Sequence, residues 1–171
     1  KLVVSIAVLL LIPSILGAVA TRINYDILSY LPDDLDSAKG EALLEEPFHM
    51  AATTMLIVED MPPEYTNQLQ KEVEQVPGVW LSSLVGIQIP QEMIPADIRD
   101  IFFSGDATMM IVQYDQPGAS EATMKSIEQV RSLCNKNCFL AGFSVFIKDT
   151  KDLISQEMPL YVLMAVALSM I

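Results

Sequence analysis

Thr54-Met55-Leu56-Ile57-Val58 returns 54 residues later as Thr108-Met109-Met110-Ile111-Val112, and that echo decides the fold. Carried on without a gap, the same offset lays Pro63 on Pro117 and Lys71 on Lys125. It also lays Val73-Glu74-Gln75-Val76 on Ile127-Glu128-Gln129-Val130. Nine identities fall within residues 54–76, against about one by chance, and self-similarity at a period near 50 marks a duplicated supersecondary unit.

Each copy reads as strand, helix, strand. The apolar runs Thr53–Val58 and Thr108–Tyr114 are short and rich in β-formers, which predicts buried strands. Breakers follow, Met61-Pro62-Pro63 in one copy and Gln116-Pro117-Gly118 in the other. Helical spacing then links Tyr65, Leu69, Val73 and Val76, and again Met124, Ile127, Val130 and Cys134. Ser120 is placed to cap the second helix, with Glu121 in its first turn. Pro77-Gly78 ends the first helix and Asn135-Lys136-Asn137 the second, and closing strands are predicted at Val79–Val85 and Phe139–Val145. Two βαβ units in tandem predict an α+β domain of ferredoxin-like plan, a four-stranded sheet with two helices on one face, over residues 51–147. The Met and aromatic residues on these elements are read as core.

Residues 86–106 form an insertion between the copies. In it Ile94, Ile98, Ile101 and Phe102 share one helical face, so a short helix is expected from about Pro95. That face either covers the sheet edge or meets a membrane surface or a neighbouring domain. Residues 22–50 read as a linker and a helix, with Asp33, Asp34 and Asp36 at its start, where acids suit the helix dipole.

Outside this middle region the composition changes. The chain has 171 residues, 51% of them hydrophobic, yet its net charge is −12. Residues 2–20 and 158–171 hold no charge, so all the acidity sits between them. At about 1.5 Å per residue the first run makes a helix of roughly 28 Å, close to the hydrocarbon thickness of a bilayer. It is expected to be a transmembrane helix over residues 1–21. A cleavable signal peptide ending at Ala18-Val19-Ala20 is the alternative. Residues 148–171 are expected to lead into a second span, truncated at Ile171 with Pro159 near its start. A long acidic region between two spans is expected on the extracytoplasmic side, residues 21–157, with a cell-membrane, multi-pass location. The apolar content excludes disorder, the ten scattered Lys and Arg exclude a nucleic-acid surface, and two cysteines exclude a disulfide scaffold.

No catalytic motif emerges, and the chain is read as a non-enzyme without metal or cofactor. His49 is the one histidine and reads as structural; Glu41, Glu45 and Glu46 read as a solvated helix face. Cys134 and Cys138 flank a turn, where an oxidising setting favours a disulfide and the alternative is two free thiols.

The stretch from Ile23-Asn24-Tyr25-Asp26 to Leu31-Pro32 follows the first apolar run, and Ala141-Gly142-Phe143 leads through Asp149-Thr150 to Glu157-Met158-Pro159-Leu160-Tyr161. With the duplicated βαβ between them, these residues make the chain resemble the first porter region of MmpL-type permeases of the resistance–nodulation–division (RND) superfamily. The resemblance implies a fragment of a multi-pass, proton-driven exporter of lipids or other hydrophobic compounds. Its partners would be the bilayer, a second porter domain in the rest of the permease chain and further copies of itself. The alternative is a membrane-anchored interaction module of a permease-like regulator. Under the transporter reading, the apolar face of Ile94, Ile98 and Phe102 is expected on the substrate path. The proton-relay acids of the family lie on later spans, so none is carried over to this sequence.

Overall fold

The computed structural model describes residues 2–21, 25, 30–32, 34–48, 50–84 and 93–169, the side chains of 2–4, 7–8, 18–19 and 46–47 excepted. The expectations for Asp33, His49 and the start of the insertion lie outside these residues, as does most of the stretch from Ile23 to Ser29. Six helices and five strands are present among those described: α1 (Leu2–Ala20), α2 (Asp36–Phe48), β1 (Ala52–Glu59), α3 (Pro63–Val73), β2 (Val79–Ser82), α4 (Ala96–Phe102), β3 (Phe103–Ser104), β4 (Ala107–Tyr114), α5 (Glu121–Leu133), β5 (Cys138–Ala141) and α6 (Phe143–Ser169).

The sheet is antiparallel throughout, in the order β2-β4-β1-β5, with the short β3 on β4. Each copy therefore splits around the other, since the closing strand of each pairs with the opening strand of its twin. The register makes the duplication visible in space. β1 and β4 pair from Ala52↔Tyr114 to Glu59↔Ala107, and at the middle Leu56 lies opposite Met110, its own equivalent in the repeat. The pairs Met55↔Ile111 and Ile57↔Met109 are then images of one another. An approximate two-fold axis thus passes through the Leu56–Met110 pair, both fully buried.

Alternation along the strands separates two faces. Inward go Ala52, Thr54, Leu56 and Val58 from β1 and Met110, Val112 and Tyr114 from β4. They meet Leu69 and Val73 of α3, Ile127 and Val130 of α5, and Val145 of α6 in one core. Burying each such side chain contributes about 1.5–3 kcal/mol. The two inward polar groups satisfy each other, Thr54 Oγ1 lying 3.1 Å from the Tyr114 hydroxyl. Local chemistry sets the helix starts. Pro63 opens α3, where its missing N–H is harmless, and Ser120 caps α5 by accepting the Thr123 N–H at 3.1 Å.

Two expected strands are shorter than their apolar runs. β2 ends at Ser82, and Val85 lies outside the described residues. β5 stops at Ala141 and Val145 is helical, because Gly142 turns the chain with φ +134°. A side chain there would start 3.2 Å from the Thr53 carbonyl oxygen and from Thr54 Cα, so this reversal needs glycine. The helix it releases buries Ser144, Val145, Ile147 and Lys148, a third helical element against the sheet. Ion pairs tie it to α5. Arg131 grips Asp149 with two hydrogen bonds of 2.8 and 3.2 Å, and Lys151 reaches Glu121 at 2.6 Å. α6 then runs on to Ser169, so the boundary expected at residue 147 falls inside one continuous helix. The helix of the insertion forms where expected, with Pro95 just before its first residue, whereas β3 was not legible.

Among the described residues no helix is long and apolar enough to cross a membrane.

Candidate functional site

α2 stands off the sheet and leaves a cleft of about 500 Å³ beneath it. Ala38, Ala42 and Glu45 recur at helical spacing along the wall that α2 provides. Ala51, Ala52 and Thr53 at the start of β1 form the opposite side, reached by a tight return in which the Met50 N–H donates to the Leu44 carbonyl at 3.0 Å. Pro117-Gly118 and the first turns of α6, through Phe143, Ser144 and Ile147, close the inner end.

Gly118 gives this inner end its shape. A Cβ there would lie 2.5 Å from Ser144 Oγ and 3.2 Å from Ser144 Cβ, so only glycine lets the turn sit so close to α6. Ser144 is 4% exposed and lines the cleft, and its hydroxyl has no hydrogen-bond partner among the described residues. Its oxygen opens into the cleft rather than being sealed in the core, so it faces whatever occupies that space. The acids read from the sequence as a solvated face, Glu41 and Glu45, border the same cleft. No local pattern announced this, because the cleft joins residues more than one hundred positions apart.

The outer face of the sheet is a second feature. Met55, Ile57, Met109 and Ile111 form its centre, with Phe139 beside Ile57 and Trp80 at one corner. Met55, Trp80 and Phe139 are each about half exposed. Trp80 is held at the edge by its indole N–H, which donates to Asp115 at 2.6 Å. The expectation that the aromatic and Met residues of these strands are core thus fails for this face. Alternation gives each strand a second set of side chains, and among the described residues no helix takes up these three.

The residues expected on a substrate path are only partly exposed. Ile94 and Phe102 are half-buried and Ile98 is 46% exposed, and none of the three lines the cleft. Cys134 and Cys138 are both free thiols. Cys134 donates to the Val130 carbonyl at 3.4 Å, and Cys138 lies 3.5 Å from the Tyr65 hydroxyl. Burial, reinforced by the neighbouring Cys138, pushes the Cys134 thiol up to about 12, and burial with the Cys138 contact pushes Tyr65 up to about 12. At neutral pH both groups keep their protons, so Cys134 is a poor nucleophile. Among the described residues no group of three or more His, Cys, Asp or Glu is placed to hold a metal ion.

No family model matches the sequence, and no curated protein matches it.

Proposed function

We propose that this chain is part of a multi-pass membrane transporter of the MmpL type, whose split βαβ unit is a ferredoxin-like porter domain on the extracytoplasmic side. The transport proposed is proton-driven export of lipids or other hydrophobic compounds. The observation that carries the reading is α6. Its first turns are locked into the domain core, and its last twelve residues, Met158 to Ser169, carry no charge and expose Leu160, Tyr161, Leu163 and Leu168. A helix apolar on all sides needs apolar surroundings, and lipid supplies them. α1 adds nineteen uncharged residues with Leu9 and Ile12 exposed. The strand order is that of the split βαβ plan expected for a porter domain.

A second reading, a membrane-anchored interaction module, is favoured by the open sheet face around Met55, Trp80 and Phe139. Membrane vesicles carrying the gene product separate the two. Movement of a fluorescent lipid analogue that stops when a protonophore collapses the pH gradient is the expected result. Membrane-bound protein with no gradient-dependent movement sinks transport and leaves the interaction module. Protein recovered wholly in the soluble fraction sinks both.

A further inference from the structure

We propose that the cleft between α2 and the β1–α6 corner binds a small cationic amphiphile, an amine carried on a short hydrocarbon chain. The proposal concerns this cleft alone and holds whether or not the chain belongs to a transporter. Three observations point to that chemistry. The volume, about 500 Å³, lies within the range of roughly 300–1,000 Å³ typical of small-ligand sites. The walls are mainly apolar, with Ala42, Ala52, Phe143 and Ile147 offering methyl and ring surface to a hydrocarbon chain. The charged groups are few and of one sign. Glu41 and Glu45 border the cleft, no Lys or Arg lines it among the described residues, and the chain as a whole carries −12. Such a lining draws in a cation and repels a carboxylate or phosphate.

Ser144 supplies the specific contact. Its hydroxyl opens into the cleft with no partner among the described residues, and Gly118 leaves no side chain to offer one. A ligand with a polar atom at the inner end would hydrogen-bond to it in place of water. An ammonium or amine N–H donates to the serine oxygen or to Glu45, and an amine lone pair can accept from the serine hydroxyl.

Titration of the purified chain with octylamine, octanol and octanoate, followed by methyl NMR shifts of Ala42, Ala52 and Ile147, tests this. Saturable shifts are expected with octylamine tightest, octanol weaker and octanoate weakest. Glu45→Gln should weaken octylamine about fivefold and leave octanol unchanged, the loss of one partly screened ion pair. Ser144→Ala should weaken octylamine and octanol alike by about fivefold, the value of one hydrogen bond. Ala42→Trp fills the cleft from a surface helix and should abolish saturable shifts while the melting temperature stays near that of the parent. Shifts that never saturate, equal affinity for the three probes, or undiminished octylamine binding by a folded Ala42→Trp chain would each overturn the proposal. None of these readouts depends on membrane insertion or transport, so failure here leaves the transporter reading standing, and the reverse holds as well.

Discussion

The two halves of α6 have the same backbone and opposite surroundings. From Phe143 to Glu157 the helix is amphipathic: Val145 and Ile147 face the core, while Asp149, Lys151 and Asp152 face α5 or solvent. From Met158 onward no charge appears, and apolar side chains stand exposed on every side, Leu163 at 67% and Leu168 at 70%. Pro159 lies at the junction and does not end the helix. Helical backbone is therefore indifferent to which medium covers it. The pattern of side chains decides whether that medium is a protein core, which takes one stripe, or an apolar surrounding, which takes the whole circumference.

The contrast predicts that equal truncations have unequal effects. Ile147→Ala should lower stability by about 2–5 kcal/mol in a denaturant titration, since it empties a buried site. Leu163→Ala should leave the same midpoint unmoved. Equal shifts at the two positions would mean that the distal half is packed against protein after all.

Polarity should reverse the order of sensitivity. Leu163→Lys is expected to cost about 2.5–3.5 kcal/mol of membrane partitioning, read as a shift from the membrane to the soluble fraction, with unchanged folding of the sheet. A lysine is already accommodated in the proximal half, where the Lys148 side chain is 9% exposed. Its ammonium meets Asp152 at 2.6 Å and Glu128 at 3.8 Å. Unchanged partitioning of Leu163→Lys would place the distal half in water and undo the comparison.

The smallest effect sharpens the reason why Lys148 is tolerated. Asp152→Asn removes its nearest carboxylate and should cost about 1–3 kcal/mol. Lys148→Met removes the charge together with its need for a partner and should be nearly neutral. Thermal unfolding of the two variants reads the asymmetry directly. Equal losses would mean that the Lys148–Asp152 pair within α6 is itself stabilising.

The same division separates what was legible in the sequence from what was not. Local signals located β1, β4, the core face of α5 and its Ser120 cap, because period, breakers and caps are written within a few residues. They failed at Phe139–Val145. The run is apolar and rich in β-formers, so periodicity alone reads it as strand, and only the positive φ of Gly142 cuts it in two. They also failed for the cleft. Ala42, Gly118 and Ser144 look unremarkable alone and become a site when three separate elements converge.

By itself the sequence determined the duplication, the split pairing of two βαβ units and the segregation of charge from the apolar ends. Those features follow from repeated side-chain patterns, and the Leu56–Met110 pairing of equivalent residues is their direct expression. Only the tertiary structure decided which sheet face stays open, where α6 begins, and that Glu45 and Ser144 border one cavity. These depend on the distance of closest approach between distant segments, which Gly118 and Gly142 set by having no side chain. A missing Cβ has no period to read, and its meaning is supplied by whatever packs against it.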